Sequence, residues 1–372
     1  MKKSPFEASL WLGVGLGTWL RLLARNRLAI TPARWPMAAA VTLAAGGNSL
    51  LGAAQEIAYR RQASRVVVPD DPIFIVGHWR TGTTMLHELF ALDVRHRCPT
   101  TYESLAPNHF LLTERLVQRF ARFILPRKRP FDNMRMSFDR PQEDEAALAL
   151  RGVPSPFLSV AFPRRPLQHP EYVDLDGLPA DKLAAWQSAV RDYLRLLLLR
   201  RPGRLVLKSP QHTNRAQTLG QMFPRARFVH VVRDPYVVYA STVHFWTTMY
   251  EHYGLQRADP SALRAQVLAD FAHMHERFEQ ARSALGPERV HDVRYERLAR
   301  DPLGVMQELY HTLELGDFAA ARPAIERYAE RSQRYRTNEY ELDAATCRQV
   351  TERWHAYFAR HGYAPRAEFA AP

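Results

Sequence analysis

Three basic residues each stand at or just after an apolar run. Arg80 follows Ile73-Phe74-Ile75-Val76, Lys208 ends Leu205-Val206-Leu207, and Arg233 ends Phe228 to Val232. The first run leads into Gly77-His78-Trp79-Arg80-Thr81-Gly82-Thr83-Thr84. The Gly77-to-Gly82 spacing is that of the phosphate loop G-x-x-x-x-G-K-[ST], with one departure. Thr83 stands where that loop has Lys, and the cation lies inside it as Arg80. Strand, glycine-bounded loop and helix together aim backbone N–H groups and the positive end of a helix at an anion. An ordinary βα turn also carries glycines, but here an Arg, hydroxyls and both glycines converge. Arg233 precedes Asp234-Pro235, and Ser241 falls about 9 Å along the helix that Pro235 opens. A long Arg side chain can bridge that gap, so the spacing allows both residues to grip one phosphate without requiring it.

Strands and helices must alternate to place these cations. The sequence predicts a helix from Met85 to about Leu92, then a loop over 94–110 containing Tyr102-Glu103-Ser104. A helical period follows from Leu111 to Leu125, broken at Pro126-Arg127-Lys128-Arg129-Pro130. Arg140-Pro141-Gln142-Glu143-Asp144-Glu145 reads as a helix start, with carboxylates favoured by the dipole; one of them could instead position an acceptor. Residues 151–180 carry six prolines and read as a long loop, followed by a helix from Asp181 to Arg200. Strand stretches over Arg204 to His212, Arg227 to Pro235 and, with a turn, Arg289 to Glu296 alternate with helices to Met222, from Tyr236 to about Met249, from Ser261 to Leu285, and from Pro302. A last helix runs from Ala344 to His361. This alternation predicts an α/β chain with a parallel sheet covered on both faces. Ligands in such folds bind beyond the carboxyl ends of the strands, where Arg80, Lys208 and Arg233 fall.

The 372 residues suffice for one large α/β domain or two smaller ones. Lys and Arg outnumber Asp and Glu by 51 to 38, a net +13, and only five of the basic residues are Lys. An Arg-rich surplus points to phosphate or sulfate ligands or an anionic membrane surface. No basic tail, zinc spacing or RNA-binding signature supports nucleic acid. Cys98 and Cys347 lie far apart, which fits a reducing compartment and offers neither a disulfide framework nor a zinc site. Residues 1–65 differ from the rest. They hold an apolar run, Leu10 to Leu20, then Arg21, Arg25 and Arg27, then an uncharged Ala/Gly-rich run from Trp35 to Ala54. This is read as a helical segment, either touching a membrane with Trp11, Trp19, Trp35 and the arginines at the interface, or packing on protein. Arg60, Arg61 and Arg65 link it to the domain over 66–372.

At this point the chain resembles sulfotransferases that use 3′-phosphoadenosine 5′-phosphosulfate (PAPS), in particular the bacterial branch that is also similar to tyrosylprotein sulfotransferases. Gly77 to Thr84 match its 5′-phosphosulfate loop, and Arg233-Asp234-Pro235 with Ser241 match its 3′-phosphate motif. Lys208 to His212 and Tyr295 to Leu298 are also family-like, so the matches span about 70–300 in order. The resemblance implies a three-layer, P-loop-like fold and in-line transfer of a sulfuryl group to an acceptor hydroxyl. Arg80, Thr81, Gly82, Thr83, Thr84, Arg233, Ser241 and Tyr295 would hold the donor, with Tyr295 on the adenine. Arg80 and Lys208 would meet charge on the departing bridging oxygen. Glu103 or His212 would take the acceptor's proton. His78 and His87 lie near the site, and His87 is read mainly as a packing residue. The cytosolic R-K-G-x-x-G segment is absent, and Arg331, Arg334 and Tyr335 are read as its substitutes.

No metal is expected for this transfer, and no ligand cluster is visible in the spacing. Two rivals stand beside this reading. A P-loop kinase or NTPase would use Asp234 as its magnesium carboxylate. A membrane-surface protein could carry a relic nucleotide site. The acceptor is read as a lipid or other apolar alcohol, from Phe245, Trp246, Tyr250 and Tyr253 and from the N-terminal segment. The expected location is the cytoplasm, at the inner face of the cell membrane.

Overall fold

In the computed structural model, residues 10–120, 137–332 and 340–366 are described. They form two compact units interleaved in sequence. The first comprises 1–68, 99–202 and 247–259; the second comprises 69–98, 203–246 and 260–372.

The second unit holds the sheet. Its strands are β1 (Ile73–Val76), β2 (His96–Arg97), β3 (Arg204–Lys208), β4 (Arg227–Val232) and β5 (Val290–Arg294), in the order β2-β3-β1-β4-β5. Every pairing is parallel. All four residues of β1 are fully buried, as a central strand covered on both faces requires. Phe74 stacks on Phe228 with ring centroids 5.2 Å apart. One side of the sheet packs Leu86, Leu89 and Phe90 with Val305, Met306, Leu309 and Tyr310. The four longer strands lie where the sequence predicts them. The two-residue β2, and the helix Thr101–Leu105 in the first unit, instead occupy stretches expected to be loop. The C-terminal helix is broken in two, Ala344–Arg353 and His355–His361. At the break Trp354 stacks on Phe271 at 3.8 Å and donates from Nε1 to the Leu268 carbonyl.

The first unit is helical. The N-terminal segment forms helices Leu16–Arg25 and Trp35–Ala63, packed with Phe110–Phe120, Asp144–Leu150 and Ala180–Arg200. Of the two readings of this segment, packing on protein holds for Trp11 and Trp19, which are fully buried. Their indoles pack at 6.3 Å and each finds an acceptor: the Tyr253 carbonyl at 2.7 Å and the Thr42 hydroxyl at 2.9 Å. A buried indole N–H is worth keeping inside only when such a partner exists. Trp35, by contrast, is 47% exposed. The breaker at 126–130 lies outside the described residues.

Candidate functional site

The phosphate-type loop leaves β1 through Gly77 at φ +135°. A Cβ there would lie 2.7 Å from the Val231 carbonyl oxygen on the neighbouring strand, so only glycine fits. The Gly77 N–H donates to the Thr213 hydroxyl at 2.8 Å. Within the loop, Thr81 donates from Oγ1 to the His78 carbonyl at 2.8 Å. Arg80 adopts φ +71°, a left-handed conformation that a non-glycine residue adopts only where its surroundings hold it. Gly82 is the N-cap of helix Thr83–Ala91 at φ +106°. The first turn of that helix, with Thr83 and Thr84, leaves amides without intrahelical acceptors.

Arg80, Arg233, Ser241 and Tyr295 form one knot. Arg80 donates from Nε to Ser241 Oγ at 2.9 Å, and Arg233 donates from Nη1 to the Arg80 carbonyl at 2.9 Å. The Arg233 guanidinium lies 4.1 Å over the Tyr295 ring, whose edge packs against Gly82. Burial pushes the Arg233 pKa down, and the Arg80 charge adds to this. Two cations held this close in a partly dry site favour an anion between or beside them. The backbone of Arg233 is fixed from below. Its N–H donates to the Tyr357 hydroxyl at 3.0 Å, and that hydroxyl donates to the Arg233 carbonyl at 3.0 Å.

Lys208 ends β3 opposite Ile75 and is 2% exposed. His212, in the short helix Gln211–Asn214, is buried with its ring edge-on to Phe74 at 5.5 Å. Glu103 belongs to the first unit. It is no solvated loop carboxylate: it is 1% exposed and closes a capping box, accepting from the Thr100 N–H at 2.8 Å. His87 is fully buried, 3.3 Å from the Val206 carbonyl, the packing role expected of it. His78 packs on Phe271 and Trp79, and burial lowers its pKa to about 3. Arg331 is exposed at the end of helix Arg322–Ser332; Arg334 and Tyr335 lie outside the described residues.

Asp234, the magnesium carboxylate of the rival reading, serves as a helix cap. Its Oδ1 accepts from the N–H groups of Tyr236 at 2.8 Å and Val237 at 3.1 Å, capping helix Pro235–Tyr253. Three residues escaped the sequence reading. Tyr357 braces Arg233; Glu296 accepts the Asp234 N–H at 2.9 Å; Tyr340 donates to Ser241 Oγ at 3.4 Å. Only Glu296 carried a signal, as the residue after Tyr295 in the Y-E-x-L segment.

Comparison with known proteins identifies the family. A family model described as "Sulfotransferase family" matches residues 72–319. The omega-hydroxy-beta-dihydromenaquinone-9 sulfotransferase Stf3 of Mycobacterium bovis is 41% identical over 358 residues, covering 96% of this chain and 92% of that protein. The same-named protein of Mycobacterium tuberculosis matches equally. Among solved structures, sulfotransferase STF9 of Mycobacterium avium aligns with a TM-score of 0.69 at 17% identity, over 94% of this chain and 96% of its own. STF1 of Mycobacterium tuberculosis aligns at 0.60 and 22%, over 92% and 91%. Those two likenesses concern the fold. The chain belongs to the sulfotransferase family.

Proposed function

We propose that this enzyme moves the sulfuryl group of PAPS to the hydroxyl of an apolar, isoprenoid-type lipid alcohol. The observation that carries the donor reading is the Arg80–Ser241–Arg233 knot at the carboxyl ends of β1 and β4. ATP has no 3′-phosphate to occupy it, and Asp234 is engaged as a helix cap. The acceptor reading rests on the 41% identical relative, whose name specifies an omega-hydroxy menaquinone derivative.

In the proposed reaction the acceptor oxygen attacks sulfur in line, and the bond from sulfur to the bridging phosphate oxygen breaks. The electron pair of that bond leaves with the 3′,5′-bisphosphate PAP. Arg80, Lys208 and the amides of Thr83 and Thr84 stabilise the charge developing on the bridging oxygen. Such fixed donors typically contribute ~10²–10³ in rate each. Arg233 and Ser241 hold the 3′-phosphate, and Tyr295 presents its ring to the nucleotide. The acceptor's proton passes to Glu103, whose capping box fixes the orientation of the carboxylate. His212 is the alternative base.

Residues 66–372 carry the catalysis in this reading, and the N-terminal helices rest on the inner face of the membrane. Helix Trp35–Ala63 is long and apolar enough to cross a membrane, yet it exposes Leu43 at 81%, Leu50 at 76% and Ile57 at 86%. These recur every seven residues and make one stripe about 21 Å long. Arg21, Arg25, Arg27, Arg60 and Arg61 flank it in sequence. An apolar stripe with basic neighbours is the pattern of a helix lying in an anionic interface.

The donor reading is tested by calorimetric titration with PAP, beside ADP with magnesium, on the wild type and on Arg233→Ala. Tight PAP binding without metal, lost in the variant, is expected. Preference for ADP with magnesium would overturn it.

A further inference from the structure

Helices Pro260–Leu285 and His355–His361 bring together three side chains that the transfer reaction does not use: His275, Glu279 and His361. One ligand-type atom from each lies within 4.8 Å of the other two. His275 and Glu279 stand at i and i+4, on one face of their helix. His361 is 8% exposed and closes its helix just before Gly362, the left-handed C-cap. Each of the two imidazoles also has one buried nitrogen, His275 Nδ1 and His361 Nε2, with no hydrogen-bond partner among the described residues. A buried imidazole nitrogen left without a partner is costly unless something binds it.

We propose that His275, Glu279 and His361 form a binding site for one divalent transition-metal ion, zinc by ligand chemistry, which clips the C-terminal helix to helix Pro260–Leu285. Two imidazoles and one carboxylate on two helices are a recurrent zinc set, leaving a fourth position to water. Tetrahedral ligation at 2.0–2.2 Å puts ligand atoms about 3.4 Å apart, so the three must close by at most about 1.4 Å, within reach of side-chain rotation. The C-terminal end of helix His355–His361 carries partial negative charge, which favours a cation.

The surroundings are balanced. Glu279 pairs with Arg282 at 3.2 Å and Arg360 at 3.1 Å. Arg282 also pairs with Asp292 at 2.7 Å, and Asp292 accepts from His230 at 2.8 Å. The two arginines are thus matched by two carboxylates before any ion arrives. A carboxylate has about four lone-pair sites, so Glu279 keeps acceptor capacity beyond its two arginines.

The clip has a consequence at the donor site. Tyr357 packs its ring against His275 at 5.3 Å and His361 at 4.6 Å, while its hydroxyl holds both backbone groups of Arg233. An ion that fixes His361 against His275 fixes the ring between Arg233 and the cluster. This second step rests on the assignment of Arg233 to the donor; the metal site itself does not.

The test uses full-length, tag-free, chelator-treated protein titrated with Zn²⁺ and with Co²⁺, followed by metal analysis, the Co²⁺ visible spectrum and thermal unfolding. Expected are one ion per chain, a tetrahedral Co²⁺ signature and a raised melting temperature. Glu279→Gln and His275→Gln should each weaken binding at least about 10-fold, the range seen when a ligand shell is disturbed. His355→Gln, at an exposed position on the same C-terminal helix, should bind as the wild type does. Circular dichroism checks that the variants fold. No stoichiometric binding by the wild type, or equal binding by Glu279→Gln and His275→Gln, overturns the site. PAP titration with and without Zn²⁺ reads the coupling separately: unchanged PAP affinity in zinc-loaded protein overturns the link to Arg233 and leaves the metal result standing.

Discussion

Gly82→Ala tests whether the loop, Tyr295 and Arg233 act as one device. The new Cβ would fall 2.2 Å from Tyr295 Cδ2, 2.8 Å from Cε2 and 3.2 Å from Cγ. The ring cannot withdraw freely, because Arg233 lies 4.1 Å over it and is itself held by the Arg80 carbonyl. Two costs add. An alanine at φ +106° loses about 1–2 kcal/mol in left-handed backbone strain. Forcing an extra methyl into a packed contact costs about 1–3 kcal/mol more. The sum, about 2–5 kcal/mol, is shared between lower stability and a displaced donor site. Calorimetric PAP titration and thermal unfolding read the two shares. PAP affinity should fall at least about 10-fold, which is 1.4 kcal/mol of the total. The double variant Gly82→Ala/Tyr295→Ala separates them, because removing the ring removes the clash and leaves the strain. A coupling of about 1–3 kcal/mol of relieving sign is expected in the cycle. Wild-type PAP affinity in Gly82→Ala, or strict additivity in the cycle, would refute the account of the knot.

Three further predictions concern the base, the membrane and acid. Glu103→Ala should lower kcat by ~10²–10⁴ with PAP affinity retained, while His212→Ala falls less; the reverse order in single-turnover assays would move the base to His212. Replacing Leu43, Leu50 and Ile57 together by Glu should abolish sedimentation with anionic vesicles, since each contributes about 1.5–3 kcal/mol when buried among acyl chains; unchanged sedimentation would remove the helix from the interface. His78 has a folded pKa of about 3 against 6.5 unfolded, so its contribution is present above 6.5 and is lost as pH falls toward 3. By about pH 4.5 that loss is about 2–3 kcal/mol. His78→Asn should flatten the fall in unfolding free energy over this range, and an unaltered slope would contradict the reading.

β1, β3 and β4 were legible as short, largely apolar runs with a basic residue at or just beyond the carboxyl end, while β5 buries only Val290 and Val293 of its five residues. β2 was not, since two residues carry no period, and His96 and Arg97 join the sheet only by pairing with Arg204 and Leu205. Arg80, Arg233, Ser241 and Tyr295, proposed to hold the donor, could be grouped from the sequence because they fall in three short motifs. Tyr357 was hidden: its phenol reaches Arg233 across 124 positions, and nothing local marks it. The same distance effect left Trp11 open between an interfacial anchor and a packed residue: it sits in an apolar run and donates to a carbonyl 242 positions away. His275 and His361 likewise carry no metal-ligand spacing and meet only through the packing of two helices.

The measurement closest to the central claim is transfer of labelled sulfuryl from PAPS, by the purified enzyme in anionic vesicles, to a hydroxyl-terminated isoprenoid quinol and to the same lipid lacking that hydroxyl. The account predicts a sulfated product from the first lipid alone, with stoichiometric release of PAP and loss of product in Arg80→Ala. Sulfation of soluble sugars or peptides in preference to the lipid, or no PAP released, would contradict it.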